Sequence, residues 1–331
     1  MNAPLETRRF GSTSLDVTSI GLGLAAVGRP AYINIDRADD LGADRSIETM
    51  RNRAFEVMDA AFDAGVRYFD AARSYGRAEE FLAAWMSERR IAGNDVTVGS
   101  KWGYRYVGEW RLDAPAHEVK EHSSDALRAQ FEESSSLLGD RLDVYQIHSA
   151  TLESGVLENH EVRAELARLG TSGLVIGLTV SGPRQAEVVR KALEVEVEGV
   201  NPFHSVQATW NALEPSVGPP LQEAHEAGWG VIVKEALANG RLTARATGPE
   251  RSVLSKVAQR HHSTMDGIAI ANVLAQGSVH VVLSGAVSVD QLTSNLGAAE
   301  VELTDQDLEE LGALAEAPDE YWAKRSALPW N

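Results

Sequence analysis

The chain has 331 residues, 44% hydrophobic and 24% charged, an ordinary globular balance with enough apolar material for a large core. A formal net charge of −17 argues against nonspecific binding to nucleic acid or anionic membrane, and the absence of cysteine removes disulfides, thiolate metal sites and cysteine nucleophiles together. No apolar run approaches the roughly 18 residues of a membrane span, and the opening MNAPLETRRF lacks a signal peptide's apolar stretch, so a cytoplasmic location is expected.

In chain order, residues 8–16 read as a β-hairpin that plugs the floor of a barrel. Residues 19–24 form the first apolar run, followed by a long polar insertion over 28–46. Residues 51–64 carry Phe55, Met58, Ala61 and Phe62 at helical spacing and stop before Gly65. Further strand-like runs fall at 66–70, 96–100, 143–147, 174–179, 205–210, 230–234 and 280–283. Helical segments are expected at 119–138, ending before Gly139, and at 184–193, where Gly182-Pro183 presets a first turn. Two more, near 252–262 and 264–275, fall between the last two strands. The runs are nearly continuous in apolar residues, as parallel strands covered on both faces must be. Strand–helix alternation means βαβ units, and eight of them predict an α/β fold: a closed (β/α)8 TIM barrel with an N-terminal β-hairpin and extra helices. An open doubly wound sheet is the alternative. No linker or composition break divides the chain, so residues 1–331 read as one domain.

Functional groups of such a barrel gather at the C-terminal ends of its strands. The second run ends in Asp70, the third leads into Lys101 and the fourth into His148, while Tyr75 follows in the loop after Asp70. Neighbouring strands lie roughly 5 Å apart, so these four side chains can share one pocket. The set suits carbonyl reduction. Hydride addition leaves charge on the carbonyl oxygen, which needs a proton donor and nearby positive charge. Tyr75 supplies the proton, Lys101 lowers the tyrosine pKa from its usual value near 10, Asp70 aims Lys101, and His148 orients the carbonyl. Taken singly, Asp70 and Lys101 are as readily a structural ion pair, His148 a bonded core histidine, and Tyr75-Gly76 a turn.

Residues 65–76, GVRYFDAARSYG, resemble the GxxxFDxAxxYG signature of the aldo-keto reductases. Residues 99–103, GSKWG, resemble that family's lysine strand, and 143–148, DVYQIH, its histidine strand. The likeness extends from about Phe10 to Leu311. It implies a catalytic tetrad of Asp70, Tyr75, Lys101 and His148, and an NADP(H) or NAD(H) cofactor bound without a Rossmann fold. Further cofactor contacts are implied at Gly23 and Leu24 after the first strand, at Asp70, and at Gln207, the carboxamide-binding glutamine. Thr179 stands where the family has a serine, but the asparagine that follows that serine has no counterpart in Thr179-Val180-Ser181. Strand seven often ends in an aromatic that stacks on nicotinamide; here Lys234 begins the stretch KEALANG, in which Leu237 and Asn239 are further candidates. Lys234 reads as approaching a cofactor phosphate or a substrate anion, or equally as pairing with Glu235. Residues 284–295 resemble the adenosine-phosphate loop, which assigns Gly285, Ala286, Gln291 and Asn295 to the cofactor. That loop has no lysine or arginine and contains Asp290, so NAD is expected to be tolerated and NADP preference weakened. The helix after it offers backbone N–H groups to phosphate.

Trp102, Tyr104 and Trp110 follow the lysine and form either an aromatic substrate wall or the underside of their own loop. Arg105, Arg111 and His117 either read a polar substrate group or are solvated. The tail, with Tyr321, Trp322 and Trp330, closes over the substrate or packs on outer helices. Glu79-Glu80 reads as the start of a helix, complementing its dipole. His261-His262 lacks the partners of a metal site, and no metal is expected. The expected partner is a small carbonyl or alcohol, with no nucleic acid and no membrane, and a monomer is the default because a barrel buries its own sheet edges. An aldose dehydrogenase working in the oxidative direction and a noncatalytic cofactor-binding regulatory subunit are the alternatives.

Overall fold

The computed structural model describes residues 5–35 and 37–330. Strands β1 (Thr7–Arg9) and β2 (Asp16–Thr18) form an antiparallel hairpin ahead of the barrel. The barrel begins with β3 (Ile20–Gly23), β4 (Tyr68–Asp70) and β5 (Thr97–Trp102). A second hairpin, β6 (Tyr104–Tyr106) with β7 (Glu118–Lys120), rises from the loop after β5. The barrel then continues through β8 (Val144–Ala150), β9 (Val175–Val180), β10 (Ser205–Thr209), β11 (Gly230–Lys234) and β12 (Val281–Ser284). The barrel strands all pair in parallel in chain order, and β12 closes on β3 with Val282 opposite Ile20 and Ser284 opposite Leu22. The closed barrel, not the open sheet, is the fold.

The N-terminal hairpin fills the barrel floor. Phe10 and Val17 pack with Tyr68, Val144, Val175, Ile232 and Val281, the inward side chains near the strand N-termini. The Phe10 ring lies so close to β11 that a Cβ on Gly230 would sit 2.3 Å from its Cζ, so only glycine fits there.

Several boundaries differ from expectation. The helix expected over 119–138 starts at Ser124, because Val119 belongs to β7 and Ser123 caps the helix by accepting from Ala126 N at 3.1 Å. Pro183 lies before the helix Gln185–Leu193, outside its first turn. The insertion 28–46 is not merely a solvated loop: Arg29 is 3% exposed, Ala31 is buried, and Arg37–Leu41 forms a short helix. Glu79 is also buried, accepting from Ser134 Oγ at 2.7 Å and bonded to Ser100 and Arg73; it ties the helix Ala78–Arg89 to its neighbours rather than serving the helix dipole alone. Among the described residues, no helix is long and apolar enough to cross a membrane.

Candidate active site

Asp70 ends β4 opposite Gly99 of β5, and Lys101, two residues further along β5, pairs in register with Gln146 of β8. Its ammonium bonds the Asp70 carboxylate and donates to Ala71 O at 2.7 Å, with no solvent exposure. Burial works against charge on both partners, raising Asp70 and lowering Lys101, while their mutual contact opposes it. Gln207 of β10 donates Nε2 to Asp70 Oδ1 at 3.1 Å and to Gln146 Oε1 at 3.3 Å.

Tyr75 lies above this pair, with Lys101 Nζ 4.9 Å from its ring centroid. Its hydroxyl is 3.4 Å from His148 Nε2, and Ser74 Oγ is 3.3 Å from His148 Nδ1. A β-bulge aims His148. The register between β8 and β9 shifts between Ile147 and Ala150, and Ser149 takes a left-handed φ of 52°. The freed backbone groups are bonded: Ser149 N donates to Thr179 Oγ1 at 2.7 Å, and His122 Nε2 lies 2.9 Å from His148 O. Thr179 is therefore a support for the bulge, fully buried and absent from the cavity wall.

The tyrosine's electrostatics also differ from expectation. Burial pushes the Tyr75 hydroxyl well above its ordinary 10, Asp70 adds to the rise, and the cation opposing it is Arg29. Lys101 is instead committed to Asp70. Arg29 lies 5.1 Å from the Tyr75 ring, 5.1 Å from Tyr32 and 5.0 Å from Trp330, and it donates to Ser74 O at 3.1 Å and Glu118 Oε2 at 2.8 Å. The only sequence sign of this residue is its neighbour Gly28, where a Cβ would meet Tyr75 O at 2.5 Å. Burial, then the Lys101, Arg29 and Lys234 cations, push His148 well below 6.5, so it is neutral at pH 7.

A cavity of about 310 Å³ opens beside Asp70, Tyr75 and Gln207. Its wall includes Gly23, Lys234, Leu237 and Asn239, and on the far side Gly285, Ala286, Gln291 and Asn295. Leu24 is buried in the hydrophobic core, beside this wall rather than in it. The insertion after β3 is clasped across this cavity to the loop after β11. Ile35 N donates to Asn239 O at 3.0 Å, Asn239 Nδ2 to Ile33 O at 3.0 Å, and Arg245 Nη1 to Asp40 Oδ2 at 2.8 Å. Arg245, Asp40 and Asp266 line the cavity too, and none stood out in the sequence.

The aromatic candidates separate. Trp102 is fully buried against the core and cannot form a substrate wall. Trp110 packs edge-on to Phe81 and donates Nε1 to Arg45 O at 2.7 Å, so it holds loops together. Tyr104 is partly exposed with its ring 5.0 Å from that of His148. Arg105 and Arg111 pair at the surface with Glu121 and Asp113. His117 stacks on Trp330 at 4.6 Å, which brings the tail to the rim of the site, whereas Tyr321 and Trp322 are buried among the helices outside the barrel. His261 bonds Asp307 at 2.8 Å, and no metal-binding cluster occurs among the described residues.

The sequence profile of the aldo/keto reductase family matches residues 20–316. The chain belongs to the aldo/keto reductase family. It is similar to aldo-keto reductase str7 of Strobilurus tenacellus, 24% identical over 95% of this chain and 93% of that protein. It is similar to the uncharacterized oxidoreductase YqkF of Bacillus subtilis (strain 168), 25% identical over 97% of this chain and 100% of the other. Among solved structures, the holo form of aldo-keto reductase AKR11C1 from Bacillus halodurans superposes with a TM-score of 0.69 at 23% identity, covering 95% of this chain and 97% of that one. That last likeness speaks for the fold. General NAD(P)-dependent oxidoreductase activity is typical of the aldo/keto reductase family.

The residues present fit a nicotinamide dinucleotide. Gln207 makes both of its side-chain hydrogen bonds through Nε2, so its Oε1 takes none from the described residues and suits an amide donor. Asn239 Oδ1 is likewise buried in the cavity wall without a donor. At the far side, Ser288 caps the helix Val289–Leu296 by accepting from Gln291 N at 3.3 Å, close in sequence to Gly285 of the β12 loop.

Proposed function

We propose that this chain interconverts an aldehyde or ketone with its alcohol by hydride transfer, with Tyr75 as general acid and base. The observation that carries the reading is the meeting of the Tyr75 hydroxyl and His148 Nε2 at 3.4 Å above the buried Lys101–Asp70 pair, in the wall of an accessible cavity. A reduced nicotinamide dinucleotide, when bound, supplies the hydride. Gln207, Asn239 and the segment from Gly285 to Asn295 would hold it.

As the carbonyl oxygen gains charge, the Tyr75 O–H and the neutral His148 N–H donate to it. A Ser74 hydroxyl donating to His148 Nδ1 would keep the proton on Nε2. After proton transfer, Arg29, the cation that opposes the rise of Tyr75, stabilises the tyrosinate left behind. Burial favours a protonated Tyr75, which suits the reductive direction; oxidation needs tyrosinate and is disfavoured at neutral pH. Tyr104 beside His148 and the Trp330 rim favour a flat, cyclic or aryl carbonyl compound. On the adenosine side, Asp266 joins Asp290 near a loop without cations, and Arg245 in the cavity wall is paired with Asp40, so NAD(H) is accepted and a 2′-phosphate gains little.

Consumption of NADH or NADPH at about 340 nm with a panel of aromatic, aliphatic and sugar aldehydes tests this reading. Carbonyl-dependent turnover that disappears in Tyr75→Phe is expected. Equal rates in the variant would remove Tyr75 from the mechanism, and a strong preference for NADPH would overturn the cofactor reading.

A further inference from the structure

We infer that Lys234 selects the redox state of the bound cofactor, its ammonium disfavouring the cationic oxidised nicotinamide against the neutral reduced ring. The inference rests on the function proposed above.

Lys234 ends β11 in register with Thr209 and forms part of the same cavity wall as Asp70, Tyr75 and Gln207. Its Nζ donates one hydrogen bond, to Thr209 Oγ1 at 2.9 Å, although an ammonium has three N–H groups. No carboxylate lies within ion-pair distance of it among the described residues. The adjacent Glu235 takes a left-handed φ of 55° and bonds Arg325 instead, with Nε–Oε2 at 2.9 Å. Asp70 is taken by Lys101. Lys234 therefore makes no salt bridge of its own, and the Glu235 carboxylate beside it is shared with Arg325. Burial lowers the amine to about 8, which leaves it mainly protonated at pH 7.

Hydride and proton must reach adjacent atoms of one carbonyl. The ring that carries the hydride therefore belongs beside the Tyr75 hydroxyl, within the cavity that Lys234 lines. That ring has a formal positive charge when oxidised and none when reduced. A fixed cation beside the ring repels only the oxidised form. The consequence is a tighter hold on reduced cofactor before hydride transfer and easier release of oxidised cofactor after it.

The test is the dissociation constant of NADH and of NAD⁺, measured by calorimetry for the wild type, Lys234→Met and Lys234→Gln at pH 7. Wild type is expected to bind the reduced form at least about tenfold tighter, and both variants to close that ratio about tenfold, chiefly by binding NAD⁺ better. The charged groups acting on Lys234 are Glu235 beside it, Arg325 from the C-terminal helix, and Lys101 and Asp70 from β5 and β4. Raising the pH from about 7 to about 9.5 is expected to narrow the wild-type ratio and leave the Lys234→Met ratio flat. An unchanged ratio in the variants overturns the inference. Equal weakening of both forms overturns it also, assigning Lys234 to a phosphate or carboxamide. Binding of neither form by the wild type overturns the proposed function, and this inference with it.

Discussion

Replacing Arg325 by methionine strands a carboxylate. Glu235 is 7% exposed and grips the Arg325 guanidinium with Nε–O distances of 2.9 and 3.1 Å. Burial alone would raise Glu235, but Arg325 first and Lys234 second outweigh it and hold the carboxyl at about 2, against an ordinary 4.5. That gap is worth about 3 kcal/mol of folding stability at neutral pH. Because the folded-state value is depressed, the contribution is fully present above pH 4.5 and is lost as the pH falls towards 2. Without Arg325, only Lys234 and Thr209 oppose burial, and Glu235 rises well above its depressed wild-type value. The Arg325→Met variant is therefore expected to lose about 3–5 kcal/mol at about pH 7.5, the usual cost of orphaning one partner of a buried pair. Acidification relieves the variant, since its folded state now takes up the proton first. The deficit relative to wild type should shrink by more than about 1 kcal/mol between about pH 7.5 and pH 5. Equilibrium urea unfolding at the two pH values measures both quantities. Adding Glu235→Gln to Arg325→Met should recover most of the loss. A deficit below about 1 kcal/mol, or one equal at both pH values, would refute the reasoning.

Tyr75→Phe is expected to lower kcat by about 10²–10⁴ while the cofactor dissociation constant stays within about twofold, read by single-turnover kinetics and calorimetry. With Tyr75 raised well above 10, carbonyl reduction should be flat from about pH 6 to 8, whereas alcohol oxidation should climb with pH as tyrosinate forms; a reduction rate that falls through neutrality would contradict this. Thr179→Val deprives Ser149 N of its acceptor and should cost about 1–3 kcal/mol of stability. It should also reduce kcat through displacement of His148, with cofactor affinity unchanged; weakened cofactor binding would restore Thr179 to the cofactor site. Arg29→Met should move the basic limb of the reduction profile upward, because Arg29 is the cation that opposes the rise of Tyr75.

The barrel was legible because its strands are short, nearly continuous apolar runs, a pattern that parallel pairing on both faces demands. Asp70, Lys101 and His148 stood out as polar groups at the ends of such runs, and they do converge with Tyr75. Trp102 misled because a residue at a strand end can point into the wall as easily as into the mouth. Arg29, Asp40 and Arg245 were opaque because their positions depend on loops that dock across long stretches of chain. Asp40 and Arg245, for example, are 205 residues apart. No local pattern encodes such a contact. The Glu235–Arg325 pair is hidden in the same way, its members 90 residues apart.

Closure of the barrel also constrains how the chain can be made. The seam joins Ile20 to Val282 and Leu22 to Ser284, so the first strand waits for nearly the whole chain before its second neighbour exists. Phe10 on the floor waits as well, since its partners Ile232 and Val281 are among the last strands synthesised. A nascent chain stopped short of β12 exposes two unpaired edges, on β3 and β11, and leaves the hairpin's apolar face only partly covered. Chaperone demand during translation should therefore persist until β12 has left the ribosome, however quickly the individual βα units form.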